Sequence, residues 1–387
     1  MDDPRAGFRT DFRADVRAWL AEHLDRALKG LGGPGREHEA FEERRAWERK
    51  LGAAGWNGIG WPEHHGGRGA TLAEQVVFHE EYARADAPAR VSHLGQELLG
   101  PTLIAFGSEA QQRRFLPKIL AVEELWCQGY SEPGAGSDLA AVSTSARREG
   151  GEWVVTGQKV WTSLAHVADW CFVLARTEPG SKRHHGLSFL LVPMRQDGVD
   201  VRPIRQLTGT AEFNEVFFDG ARTTEVVGEP GDGWRVAMGL LGFERGVATL
   251  GQQIGFRREL EALCRLAGES GAAEDPHIAE QLNRAWVGLE VLRAHAVRTL
   301  GDSGPGAASV VKLVWAGWHR RLGELAMLVR GAAGLVTQPG LDTPGELDTW
   351  QRLFLFSRAD TIYGGSDEIQ RNVIAERVLG LPREARP

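Results

Sequence analysis

The run Gly129-Tyr130-Ser131-Glu132-Pro133-Gly134-Ala135-Gly136-Ser137-Asp138-Leu139-Ala140-Ala141 has the makeup of a strand end opening into a loop of small residues. Such a loop offers backbone N–H groups and hydroxyls to a planar or anionic partner, although a plain Gly-rich turn has the same composition. Glu244 stands beside an apolar helical seam, with Leu240, Leu241, Val247 and Ala248 at its i±3 and i±4 positions. None of these is basic, so Glu244 has no intrahelical ion pair. A carboxylate so placed is either satisfied by another helix or kept with a raised pKa for proton transfer. Trp161 reads either as a core aromatic or as a plate that stacks on a ring system, since Trp is large and amphipathic.

Other reactive residue types point to no site. Cys127, Cys171 and Cys264 are odd in number, widely spaced and set among apolar neighbours, which suits reduced, buried thiols rather than disulfides or a metal framework. The pairs His64-His65 and His184-His185 lack metal-type spacing to a cysteine or an acid and read as loop residues; no metal is expected.

The elements that must carry these residues fall into three zones of a 387-residue chain. With 42% apolar and 25% charged residues it has the composition of a soluble globular protein. A net charge of −7 with both signs scattered argues against nucleic-acid binding. No apolar run is long enough to span a membrane. Met1-Asp2-Asp3-Pro4-Arg5 lacks a signal-peptide layout, so a cytoplasmic location is expected.

Residues 1–124 are predicted to form a helical domain. Phe8, Phe12, Val16 and Leu20 recur every four residues, and Thr71–Glu74 and Ser108–Gln111 read as helix starts. Residues 125–230 carry short β-rich runs, at 152–156, 170–177, 187–193, 199–203 and 213–218, separated by turn clusters; this spacing predicts an antiparallel barrel or sandwich. Residues 231–387 return to the helical period. Val236, Leu240, Phe243, Val247, Leu250 and Ile254 form one seam, and helices follow near 277–301, 309–333, 346–360 and 367–379, the pattern of a bundle. The fold class expected is mainly α with a central antiparallel β domain: an N-terminal helical domain, a β-barrel middle domain and a C-terminal four-helix bundle.

The order of motifs resembles the acyl-CoA dehydrogenase family. Gly129–Ala141 resembles its first signature, departing only at Tyr130, where the family usually has an aliphatic residue. Leu51–Trp56 with Pro62-Glu63 and Gly66-Gly67 is similar to its N-terminal loop, and Gly107–Gln111 with Phe115-Leu116-Pro117 to the helix that ends its first domain. Gly157-Gln158-Lys159-Val160-Trp161-Thr162-Ser163 resembles the segment that lays a Trp against the flavin. Gly228-Glu229 with Gly233-Trp234 resembles the entry into the bundle, and Ile362–Arg371 the C-terminal catalytic loop. The resemblance spans more than 300 residues.

The resemblance implies FAD as cofactor and an acyl-CoA thioester as substrate, losing an α-proton to a protein base and a β-hydride to the flavin. The implied cofactor contacts are Gln128, Tyr130, Ser131, Gly136, Ser137, Trp161, Ser163, Gly331, Ser366 and Glu368; the implied substrate contacts are Ser137, Arg245, Tyr363 and Gly364. The family's base is most often a Glu directly after the loop Tyr, where this chain has Gly364. Glu244-Arg245 instead resembles the position at which a minority, including isovaleryl-CoA dehydrogenase, carries the base; Glu244 is therefore the expected catalytic acid–base residue. The N–H of Gly364 keeps the family's role of holding the thioester carbonyl. A base on the helix suggests a branched, long or bulky acyl chain.

Two flavin-binding features depart from the family pattern. Ala267–Pro276 is acidic where an Arg and a Phe-Gly are usual, and Leu328–Gly334 lacks the Gln offered to a neighbouring subunit. Because the family shares its FAD sites across subunits, either groups such as Arg330 compensate in a homodimer or homotetramer, or a homologous subunit completes the site in a heteromer. Electrons are expected to pass to an electron-transfer flavoprotein. The alternatives are an acyl-CoA oxidase or a secondary-metabolism flavoenzyme on the same fold, and a non-catalytic partner subunit.

Overall fold

The computed structural model describes residues 10–243, 248–301, 306–337 and 347–383. The first zone is helical: α1 (Thr10–His23), α2 (Phe41–Ala53), α3 (Leu72–Arg84), α4 (Gly100–Phe106) and α5 (Glu109–Leu120). Val16 and Leu20 of α1 are buried with Trp47, Leu51, Trp56 and Phe78, the apolar face the four-residue spacing predicts; Phe8 lies outside the described residues. Both predicted helix starts are capping boxes. Thr71 takes the Glu74 N–H and gives its own N–H to the Glu74 carboxylate, and Ser108 with Gln111 does the same.

The middle zone is one eight-stranded sheet: β1 (Trp126–Gly129), β2 (Ser145–Glu149), β3 (Glu152–Ser163), β4 (Trp170–Arg176), β5 (Leu187–Pro193), β6 (Val199–Ile204), β7 (Phe213–Thr223) and β8 (Glu225–Val227). Its order is β6-β7-β3-β2-β4-β5-β8, with β1 paired to β4. Most pairs are antiparallel, as expected, but β1 and β2 both run parallel to β4. Alternation along the strands sends successive side chains to two different cores. Cys171, Val173 and Ala175 of β4 meet Val155, Leu190 and Val216 on one face. Phe172 and Leu174 meet Phe189, Leu99, Leu103 and Phe115 on the other. The central strands β4 and β5 are thus buried on both faces and bolted to the N-terminal helices.

The third zone holds α6 (Gly233–Phe243), α7 (Ala248–Ser270), α8 (Pro276–Gly301), α9 (Ala307–Arg330), α10 (Thr349–Phe356) and α11 (Asp367–Val373). The first part of the predicted seam packs on the sheet, Val247 and the side chain of Leu250 lie outside the described residues, and farther along α7 other apolar residues turn to the bundle. Val236 and Leu240 of α6 pack on Phe189 and Leu191 of the sheet and on Leu103 of α4. Phe256 and Leu260 of α7 pack instead on Leu289, Trp315 and Leu322 of the bundle. A seam predicts an apolar neighbour without naming it. Here α6 reaches the sheet because Gly233 carries no Cβ, which would sit 2.4 Å from the Ser188 backbone. The bundle continues as α8, α9, α10 and α11, close to the predicted ranges.

Candidate active site

The three zones enclose a cleft of about 1700 Å³, and the residues that line it include most of those the sequence singled out. One wall is the Gly129–Ala141 loop together with β3. The loop leaves β1 and returns through Glu132, whose side chain is almost fully buried. Glu132 accepts the Ser143 N–H at 2.7 Å, the Ser143 hydroxyl at 2.7 Å and the Thr144 N–H at 2.9 Å. Its remaining partner is Lys159 of β3, Nζ at 2.8 Å. Lys159 also donates to the carbonyls of Tyr130 at 3.1 Å and Leu174 at 2.8 Å. Burial pushes the Glu132 carboxyl up, but the Lys159 charge and these hydrogen bonds outweigh it and hold it at about 2. Burial pulls Lys159 downward; with three acceptors within hydrogen-bond reach, the ammonium stays charged. The Val160 N–H, donating to the Ser131 carbonyl at 2.9 Å, closes the same joint. One buried ion pair therefore ties together the two segments that resemble the family's flavin motifs. Sequence inspection missed it: Lys159 is the one charge of its segment, but the Gly129–Ala141 loop offers two carboxylates, Glu132 and Asp138, as its partner.

Trp161 owes its place to an interruption of the β3–β7 ladder between Lys159 and Thr162. At φ +60° it lies in the left-handed region, a conformation that costs a bulky residue about 1–2 kcal/mol. The bulge swings the indole out of the sheet, where it is 58% exposed, lines the cleft and meets Phe213 edge-on at 6.1 Å. This excludes the core-aromatic reading. Gln128, Ser131, Gly136, Ser137 and Ser163 line the same wall. Tyr130 also borders the cleft, but its ring is buried edge-on between Phe172 and Phe189, and its carbonyl is held by Lys159.

The facing wall is the turn before α11. Tyr363, Gly364, Gly365 and Ser366 line the cleft. Gly364 and Gly365 turn at φ +63° and +86°, values glycine adopts without steric cost. The buried Gln370 side chain donates to the carbonyls of both, at 3.0 and 3.2 Å, and Ser366 caps α11. Among the described residues no acceptor meets the Gly364 N–H. The Tyr363 hydroxyl donates to Asp360 at 2.6 Å.

The N-terminal helices form the third wall. It includes His79 and Glu97, whose side chains make no hydrogen bond among the described residues. Burial lowers the pKa of His79. Arg183 and His184, from the β4–β5 loop, also border the cleft, His184 packed on Trp234 at 4.4 Å. The last described residues of α6, Leu241, Gly242 and Phe243, line it too; Glu244 and Arg245 lie outside the described residues. Glu368 is exposed, and neither it nor Gly331, at the C-terminus of α9, is among the lining residues. Arg330 is held by Asp348 at 2.7 Å. Among the described residues no group of His, Cys, Asp and Glu is placed to hold a metal ion, and no helix is long and apolar enough to cross a membrane.

These walls fit the isoalloxazine end of FAD. A largely exposed indole inside a concave site is surface that a planar ring covers. A Cβ on Gly136 would meet nothing within 4 Å, so the loop keeps space in front of its backbone. Trp161, Ser131 and Ser163 would hold the ring system, and the Gly364 N–H is an unengaged donor opposite. FAD supplies the hydride acceptor when bound.

Comparison with known proteins agrees with this layout. Profiles of the acyl-CoA dehydrogenase N-terminal, middle and C-terminal domains match residues 9–123, 127–221 and 231–379. Acyl-CoA dehydrogenase IpdE1 of Mycobacterium tuberculosis is 66% identical over 385 residues, 97% of this chain and 98% of the relative. Among solved structures, the Tcur3481-Tcur3483 steroid ACAD is 30% identical with a TM-score of 0.82, covering 97% of each chain. The ChsE4-ChsE5 complex from Mycobacterium tuberculosis is also 30% identical, with a TM-score of 0.78 over 97% of each chain. The chain belongs to the acyl-CoA dehydrogenase family, flavoprotein oxidoreductases of lipid metabolism whose cofactor is FAD.

Proposed function

We propose that this chain dehydrogenates the CoA thioester of a bulky, ring-bearing acyl group to the trans-2-enoyl-CoA, with Glu244 as base and an electron-transfer flavoprotein as electron acceptor, in the cytoplasm. The observation that carries this reading is the convergence on one cleft of the Trp161 face and the unengaged Gly364 N–H. A donor fixed where negative charge develops on a thioester carbonyl acidifies the adjacent C–H. Glu244 would take that proton. Its support is the motif likeness and the course of α6, which lines the cleft up to Phe243, one residue before it. Arg183 offers positive charge to the CoA phosphates, and His184 beside it, its pKa lowered by burial, offers a ring N–H. A large acyl group suits the size of the cleft and the name of the structural neighbour, a steroid ACAD. His79 and Glu97 would suit polar substituents on that group.

A second reading, that a homologous subunit completes the FAD site, is favoured by one feature. Arg330, the residue expected to compensate for the missing Gln, is already committed to Asp348. Both structural neighbours named above are complexes of two different chains. The test is to purify the chain alone and with a co-expressed homologous subunit, read the flavin spectrum, and titrate anaerobically with a panel of straight-chain, branched and polycyclic acyl-CoAs. Bleaching of the flavin by polycyclic thioesters supports the reading. Failure of every thioester to bleach the flavin of either preparation refutes it. Fast reoxidation by oxygen identifies an oxidase instead, and a chain that stays colourless alone but yellow in the complex selects the heteromer.

A further inference from the structure

Behind the Tyr363–Gly364 turn a line of hydrogen bonds crosses the bundle. Glu259 of α7 meets Nε2 of His319 at 3.0 Å, His319 of α9 meets Asp360 through Nδ1 at 2.5 Å, and Asp360 accepts the Tyr363 hydroxyl at 2.6 Å. Asp360 and His319 are buried, 1% and 6% exposed. With a carboxylate on each ring nitrogen, His319 donates from both and is a cation. Burial opposes that charge, but the two carboxylates raise its pKa to about 10. An imidazolium held between two carboxylates is a clamp rather than a path along which protons move at neutral pH. Lys312, seven residues before His319 on α9, donates to the Asp360 carbonyl and stands over the Tyr363 ring at 4.8 Å. The same helix therefore grips Asp360 by side chain and backbone, and Asp360 grips Tyr363. From the other side Gln370 holds the carbonyls of Gly364 and Gly365.

We propose that His319 and Asp360 are positioning residues for the dehydrogenation: through Tyr363 they fix the Gly364 N–H at the thioester carbonyl. This rests on the function proposed above. A donor that must meet a developing oxyanion loses on the order of 10²-fold in rate when displaced by about 1 Å. A cluster that merely stabilised the bundle would change unfolding and leave turnover per folded molecule alone.

The test compares His319→Leu, His319→Asn and Tyr363→Phe with wild type as holoenzymes. The readouts are hydrogen–deuterium exchange of residues 359–366, flavin content, and kcat and KM on the acyl-CoA that bleaches the wild-type flavin. Tyr363→Phe leaves the His319–Asp360 contact intact and cuts only its link to the turn. It is expected to keep its flavin and lose roughly 10-fold or more in kcat, with KM within about threefold. His319→Leu is expected to show the same loss and about 10-fold faster exchange across the turn. His319→Asn, whose side-chain amide can stand where Nδ1 stands, is expected to recover to within about threefold of wild type. The proposal is overturned if Tyr363→Phe turns over within about twofold of wild type, or if a folded His319→Leu leaves exchange of the turn unchanged. Should His319→Leu fail to fold, Tyr363→Phe decides alone. Exchange needs no substrate, so an absence of any bleaching thioester would sink the proposed function without touching this result.

Discussion

Lys159→Met removes one charge from a buried pair and leaves the other. Lys159 donates to Glu132, Tyr130 and Leu174 from a site with no solvent access. The variant strands a carboxylate that keeps three donors, from Ser143 and Thr144, and orphans two buried carbonyls. Breaking a buried ion pair from one side costs about 3–5 kcal/mol, chiefly the penalty of the charge left behind. The pH dependence gives a second estimate. In the folded chain Glu132 is depressed from 4.5 to about 2. A lowered carboxylate stabilises above its unfolded pKa, and that contribution is lost as pH falls from about 4.5 through about 2; a shift of this size corresponds to about 3 kcal/mol. Both routes predict that urea unfolding at neutral pH shifts by about 3–5 kcal/mol in Lys159→Met, and that the variant loses the wild type's steep destabilisation between pH 4.5 and 2. Its flavin content should also fall, because the loop and β3 share this joint. Glu132→Gln/Lys159→Met, which removes both charges, should recover a large part of the loss. A single variant within about 1 kcal/mol of wild type, or a double variant no better than the single, would mean that the Lys159–Glu132 pair does not hold this joint.

Trp161→Ala should cost little stability, within about 1 kcal/mol, since the indole is mostly exposed and the alanine Cβ leaves the left-handed backbone as it was; the flavin-to-protein ratio after gel filtration should nevertheless drop well below that of wild type. His319 makes the opposite pH prediction to Glu132. Its raised pKa gives stability that is complete below about 6.5 and fades as pH rises through about 10. Urea midpoints followed from pH 6 to 11 should therefore fall more steeply for wild type than for His319→Asn, by at most about 5 kcal/mol in all.

Local signals in the sequence were read well because local physics decides them. The capping boxes at Thr71 and Ser108 are three-residue patterns, and the apolar face of α1 follows from helical period alone. The long strands showed as β-branched and aromatic runs. β1, β2 and β8 did not: two are only three or four residues long, and β2 alternates exposed arginines and serine with one buried alanine. Pairing between distant segments was also illegible. Nothing near Lys159 says that its partner is Glu132, or near His319 that Asp360 closes the clamp. The motifs converge: the cleft gathers most of their residues. The bulge that exposes Trp161 is a property of the β3–β7 register and cannot be read from the tryptophan's neighbours.

In the proposed reaction a helix-borne carboxylate, Glu244, removes the α-proton. The most direct measurement is stopped-flow reduction of the bound flavin by one acyl-CoA, in wild type and in Glu244→Gln purified in the same assembly. Equal flavin content with a rate lower by about 10²–10⁴-fold in Glu244→Gln is the predicted result. Equal rates in the two proteins would contradict it and require a base elsewhere in the cleft.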